Sequence, residues 1–199
     1  MNAGGIVLCG GKSTRMGTSK ALLPFGPETM LQRVVRLLGE AVNPIVAVAA
    51  PDQALPDLPA TVIVTRDERE GRGPLEGLRA GLKALPLEVE AAYVTSCDVP
   101  LLVPAFVRQM IEFADGYDIA VIEVEGFAHP LSAVYRRTTL PQVEALLSRD
   151  RLRPAFLFEA VKTRRVAPEE ITADPGLHTL RNLNTPEDYA SALAHLRER

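Results

Sequence analysis

Six short apolar runs rich in Val, Ile and Ala recur along the chain, at 6–9, 45–50, 62–65, 92–96, 119–124 and 132–135. Each is too short for a core helix and carries almost no polar alternation, the pattern of a strand buried on both faces. Between them the apolar residues change period. Leu31, Val34, Val35 and Leu38 follow Pro27; Leu75, Leu78 and Leu82 follow Pro74; Phe106, Val107, Met110 and Ile111 follow Pro104. These are helical spacings, and a proline near each start suits a first helical turn, where a missing N–H costs nothing. Strands alternating with helices predict an α/β fold: a three-layer αβα sandwich around a mostly parallel sheet. Residues 138–162 and 186–197 also read as helical, the second opened by Thr185 as N-cap and Pro186 at the first helical position. In sheets of this kind ligands bind beyond the carboxyl ends of the strands, where strand order reverses. The loops that follow the strands are therefore where chemistry is to be sought.

At 199 residues and 47% hydrophobic, the chain is expected to form one domain, 1–199, with a substantial core. A formal net charge of -3 gives no general attraction for nucleic acid or an anionic membrane, so neither is expected as a partner. The start, MNAGGIVLCGG, lacks a basic segment, and no stretch of about 18 apolar residues offers a span. A cytoplasmic setting is expected. It suits the two cysteines, Cys9 and Cys97, which form no CxxC pair.

The loop after the first run reads GGKSTRMGTSK, residues 10–20. Its GKST resembles the end of a phosphate-binding P-loop, but that motif needs a glycine five places before Gly11, and Ile6 stands there. Gly10, Gly11 and Gly17 also have the wrong separations for a dinucleotide-binding GxGxxG. What remains is a strand running into a small-residue loop in which Arg15 and Lys20 put two cations beside a close-approaching backbone, or else a solvated turn. The third run ends at Asp67, followed by Gly71, Gly73 and Gly77 leading into a helix; close backbone approach and an ordinary loop are both open there. The fourth run ends in TSCDVPLL, which sets Asp98 at a strand end either to hold a hard cation or to cap a helix. Reversal of strand order would set the first and fourth runs side by side, with Cys9 and Cys97 flanking the pocket as partly buried, inert thiols.

Together these stretches resemble the molybdenum cofactor guanylyltransferases, within the wider nucleotidyltransferases that share a Rossmann-like GT-A sheet. The family pattern L-A-G-G-x-S-x-R-M-G followed by K is matched by Leu8-Cys9-Gly10-Gly11-Lys12-Ser13-Thr14-Arg15-Met16-Gly17 and Lys20. G-P-L-x-G is matched by Gly73-Pro74-Leu75-Glu76-Gly77, and C-D-x-P by Cys97-Asp98-Val99-Pro100. HPLSAVY at 129–135 and NLNTPEDY at 182–189 match two further signatures, so five motifs stand in family order over nearly the whole chain.

The resemblance implies that Leu8, Cys9, Gly10 and Gly11 meet the base and sugar of GTP, that Lys20 and Arg15 meet its phosphates, and that Asp67 lies at the nucleotide. Asp98 would carry Mg2+, with Asn182 and Asn184 on the acceptor side near the metal. His129 is either an acceptor contact or a bland residue before a proline; His178 and His195 read as surface residues. Two departures stand out: Cys9 where the family has Ala, and Ala49 where it often has Asn near the base. The implied reaction is GMP transfer from GTP to the terminal phosphate of molybdopterin, with release of pyrophosphate. Transient contact with other enzymes that build or receive the cofactor would accompany it. CTP transfer to molybdopterin, activation of a sugar or lipid phosphate, and a nucleotide-binding regulator without turnover stay open beside it.

Overall fold

The computed structural model describes residues 1–10, 19–67 and 71–197; Gly11 and Arg15 lie outside the described residues, as does the side chain of His195. The elements follow in the order β1 (Ala3–Leu8), β2 (Pro24–Phe25), β3 (Glu28–Thr29), α1 (Met30–Gly39), β4 (Ile45–Ala49), β5 (Val62–Arg66), α2 (Pro74–Ala84), β6 (Ala91–Ser96), α3 (Pro104–Phe113), β7 (Ile119–Val124), β8 (Phe127–Arg136), α4 (Leu140–Ser148), α5 (Ala155–Ala160), β9 (Thr163–Val166) and α6 (Pro186–Arg197). All six apolar runs became strands. Seven strands form one sheet in the order β5-β4-β1-β6-β8-β7-β9, and β2 and β3 make a separate small hairpin. The sheet is parallel from β5 to β6; β8 enters antiparallel to both of its neighbours, and β9 pairs parallel with β7. The chain builds outward from β1 through β4 to β5, then returns to lay β6 on the other flank of β1. Strand order thus reverses between β1 and β6, beside Cys9 and Cys97.

Alternate residues of the central strands supply the two cores, as the period of two requires. Val7, Ala47 and Tyr93 pack with Leu31, Val34 and Leu38 of α1 and Phe106, Val107 and Met110 of α3. Ile6, Leu8, Val46 and Val94 pack with Leu75, Leu78 and Leu82 of α2 and with Val143, Leu146, Leu157 and Phe158 of α4 and α5. Helices cover both faces, giving the three layers. They come unusually near β1: a Cβ on Gly5 would lie 2.6 Å from Leu38 Cδ2, and one on Gly81 would lie 2.7 Å from Ile6 Cγ2. Only glycine tolerates that approach.

Several local expectations are corrected. Gly4 and Gly5 belong to β1 itself. Pro27 lies in the turn of the β2–β3 hairpin rather than in a helix, and α1 is started by a reciprocal cap in which Gln32 N–H donates to Thr29 Oγ1 at 3.2 Å and Thr29 N–H to Gln32 Oε1 at 2.8 Å. The segment read as one helix over 138–162 is broken after Ser148, where Asp150 adopts φ 56, and α5 starts only after Pro154. β9 was not foreseen because its TRRV is an edge strand whose arginines face carboxylates, Arg164 pairing with Glu170 and Arg165 with Glu123. His178 is not a free surface residue: its Nδ1 lies 2.9 Å from Oδ1 of the buried Asp174. α6 opens as read, with Asp188 N–H donating to Thr185 Oγ1 at 3.1 Å and Thr185 N–H returning to Asp188 Oδ2 at 2.9 Å.

Candidate functional site

The ladders of the parallel strands run one residue past the strands themselves. Cys9 N–H donates to Val48 O at 2.8 Å, Cys97 N–H to Leu8 O at 3.1 Å and Asp67 N–H to Ala49 O at 2.9 Å. Three loops therefore leave the carboxyl edge from fixed points, one of them the residue just before Asp98. Cys9 and Cys97 are both buried and free, and the Cys9 thiol is pushed well above its ordinary value by the Cys97 thiol beside it and by burial. These are packing thiols, as the sequence suggested.

Both carboxylate oxygens of Asp98 are engaged. Ser96 Oγ donates to its Oδ1, and Lys20 Nζ donates to its Oδ2 at 2.8 Å. The same ammonium donates to Asn184 Oδ1, also at 2.8 Å. Residues 20, 98 and 184, drawn from three separate motifs, thus meet at one point. The far segment is tied in through its backbone: Leu183 N–H donates to Asp98 O at 2.9 Å, and Asn184 N–H to Asp188 Oδ2 at 3.0 Å. That bond, with two more from Thr185, draws the Asp188 carboxyl below its ordinary value. Asn182, one step before Leu183, is exposed.

Asp67 stands on the other flank. Its Oδ1 is buried and has no hydrogen-bond partner among the described residues. Burial first, then the charge of Glu76, push its carboxyl up to about 6, while Arg79 pulls the other way. Gly10 and Gly77 crowd it: a Cβ on Gly10 would lie 3.4 Å from Asp67 Oδ2, and one on Gly77 would lie 3.6 Å from Asp67 Oδ1 and 3.0 Å from Leu8 Cδ2. Leu8, Gly10, Asp67 and the start of α2 therefore form one wall. Behind it Glu76, 3% exposed, accepts from Arg79 Nη2 at 2.6 Å. Sequence reasoning passed over Glu76, although an acidic residue three places before Arg79 on a helix is a readable pair.

His129 lies half-buried near the start of β8. Because β8 runs antiparallel to β6, with Ala133 opposite Val94, the earlier residues of β8 lie toward the carboxyl end of β6, and His129 shares the edge that carries Asp98. Burial lowers its imidazole from the ordinary value, favouring the neutral form. Among the described residues, no three His, Cys, Asp or Glu side chains gather as a protein-only metal cage.

With this geometry established, the comparisons are specific. The model of the MobA-like NTP transferase domain matches residues 5–194. A probable molybdenum cofactor guanylyltransferase of Carboxydothermus hydrogenoformans is 34% identical over 189 residues, covering 94% of this chain and 93% of its own. One of Mycobacterium avium is 35% identical, covering 99% of this chain and 98% of its own. The crystal structure of molybdopterin-guanine dinucleotide biosynthesis protein A from Archaeoglobus fulgidus superposes with a TM-score of 0.81 over the whole of both chains, at 18% identity, a likeness of fold. This chain is a member of the MobA-like NTP transferase family, an α/β nucleotidyltransferase fold with a mostly parallel sheet.

Proposed function

We propose that this protein is a molybdenum cofactor guanylyltransferase that moves GMP from GTP to the terminal phosphate of molybdopterin, acting as one domain in the cytoplasm. The observation that carries the reading is the convergence of Lys20, Asp98 and Asn184 at the edge where strand order reverses. Asp98 Oδ2 and Asn184 Oδ1 already face a single cation at 2.8 Å each, so these two hard oxygens would be the residues to hold a Mg2+ ion. Mg2+ bound there supplies charge neutralisation on the nucleotide.

In the reaction, an oxygen of the acceptor phosphate attacks the α-phosphorus of GTP in line. The bond to the bridging oxygen breaks, and pyrophosphate leaves with that electron pair. No protein base is required, because the attacking phosphate is ionised near neutral pH. Lys20 and Arg15 stabilise charge on the nucleotide phosphates; alignment of two anions and neutralisation of their repulsion are the catalysis. Leu8 to Gly11 form the wall for base and sugar. Asp67, with a buried oxygen lacking a described partner, accepts a hydrogen bond from the nucleotide. Asn182, Asn184 and His129 line the acceptor side. No helix among the described residues is long and apolar enough to cross a membrane.

A second reading is favoured by one residue. Ala49 is fully buried and offers no polar side chain at the base, which weakens selection of guanine and keeps CTP as the rival nucleotide. Thermal shifts with GTP, CTP, UTP and ATP in the presence of Mg2+ distinguish the two. GTP is expected to raise the melting temperature most; a larger shift with CTP would make CTP the preferred nucleotide. Pyrophosphate release that depends on molybdopterin tests turnover, and its absence with either nucleotide would leave only binding.

A further inference from the structure

The chain leaves the sheet at Cys9, and one side chain bonds both Cys9 and Ser19, on either side of residues 11–18. Gln53, in the turn that follows β4, donates from Nε2 to Cys9 O at 2.8 Å and to Ser19 Oγ at 3.2 Å. Its Oε1 accepts from Ala50 N–H at 3.1 Å. A primary carboxamide has two donors on nitrogen, and here both are used, together with the carbonyl. The orientation of the amide is forced. Ala50 N–H can only donate and the Cys9 carbonyl can only accept, so a flipped amide would oppose like groups at both places. The turn beneath is itself braced: Gln53 N–H donates to Ala50 O at 3.2 Å, and Arg66 Nη1, from the last residue of β5, donates to Ala50 O at 2.6 Å and to Gln53 O at 3.1 Å.

We propose that Gln53 is a positioning residue for the nucleotide, one that holds the Cys9 carbonyl and the Ser19 hydroxyl with a single amide group. The proposal rests on reading Leu8 to Gly11 as the nucleotide wall. Holding Cys9 and Ser19 in advance removes the cost of ordering them from the nucleotide, which is how preorganisation raises affinity without adding a ligand contact. Among the described residues Gln53 bonds only backbone and Ser19, so its loss acts through Cys9 and Gly10 rather than on the phosphates. Nothing in the sequence signals this: a glutamine four places after a strand belongs to no motif.

The test uses Gln53→Met, which keeps the volume without hydrogen bonds, and Gln53→Glu, which keeps the acceptor toward Ala50 but turns an oxygen against the Cys9 carbonyl. Binding is measured by calorimetry with Mg2+ and whichever of GTP, CTP, UTP or ATP stabilises the wild type. Gln53→Met is expected to weaken nucleotide binding about tenfold by losing bonds of ordinary strength, and Gln53→Glu by more, because it sets a carboxylate oxygen against the Cys9 carbonyl, which can only accept. KM for the nucleotide should follow Kd while kcat at saturation stays near the wild-type value, a split that a fault in folding would not produce. Wild-type affinity in both variants, or a fall in kcat with unchanged KM, would overturn the proposal while leaving the enzyme reading intact. Failure of the wild type to bind any of the four nucleotides would overturn both.

Discussion

Asp98 and Asp67 are the same residue type at the same kind of place, just beyond the carboxyl end of a parallel strand, yet their surroundings are opposite. Both oxygens of Asp98 are engaged, one by Ser96 Oγ and one by the Lys20 ammonium, with Asn184 joined to that ammonium. Asp67 has a like-charged neighbour in Glu76, a buried oxygen without a described partner, and a carboxyl pushed up to about 6. The Asp98 flank is already organised around positive charge; the Asp67 flank holds an acid that gains from a hydrogen-bond donor. A nucleotide spanning the two would bring its metal-bound phosphates to the first and its neutral donors to the second. The division of labour comes from environment, since nothing in the residue type distinguishes the two positions.

The strongest way to break the comparison is to remove the charge on the cation flank. Asp98→Asn keeps the shape and should lower turnover by about a thousandfold or more, the scale of losing an electrostatic contact made in the transition state. Its cost to stability should fall between the ~1 kcal/mol of a surface ion pair and the 3–5 kcal/mol of a buried one, because the Lys20–Asp98 side chains are 17% and 14% exposed. Near-normal turnover at ordinary Mg2+ would remove Asp98 from the reaction. Lys20→Ala should lower kcat by about a hundredfold, with a stability cost of the same order as that of Asp98→Asn because it breaks the same ion pair; unchanged kinetics would remove Lys20 from the nucleotide phosphates. Asn184→Ala should raise the Mg2+ concentration needed for half-maximal rate by about tenfold, read directly from metal titrations. An unaltered metal requirement would confine Asn184 to bonding Lys20.

The two flanks also differ in how far they could be read from sequence. Buried parallel strands announce themselves as unbroken apolar runs, and the end of the fourth run set Asp98 at the carboxyl edge, so the position of that flank was legible once the motifs were set in order. Its closure by Lys20 and Asn184 was foreseen only as a shared neighbourhood; the bonds themselves depend on the turn at 183–188. The Asp67 flank was less legible, because its character comes from Glu76 and Gly77 on α2 approaching from another segment. β9 was missed because an edge strand with two arginines has neither apolar period nor continuous burial, and the break at 149–154 because a helical pattern on either side concealed it. Gly11 and Arg15, central to the motif, lie outside the described residues.

The smallest effect, and the one that sharpens the comparison most, concerns the pH dependence of Asp67. Its carboxyl is raised to about 6 in the fold, against roughly 4 for an unfolded aspartate. Between these values the folded state binds more protons than the unfolded one, so linkage makes stability fall as pH rises. The loss starts near pH 4, is largest per unit around pH 5, and is complete once pH passes 6. Two units correspond to at most about 3 kcal/mol. Asp67→Asn keeps the shape and does not titrate, so its stability relative to wild type, taken from denaturant midpoints, should rise by up to that amount between pH 4 and pH 7. A flat difference would mean that the carboxylate is solvated and no different in kind from an exposed one. Saturating Mg2+ and nucleotide should then reduce the slope, because a donor from the ligand favours the ionised form and lowers the folded value toward the unfolded one. A slope unchanged by a nucleotide that demonstrably binds would place Asp67 outside the nucleotide contacts and leave the Asp98 flank to bind it alone.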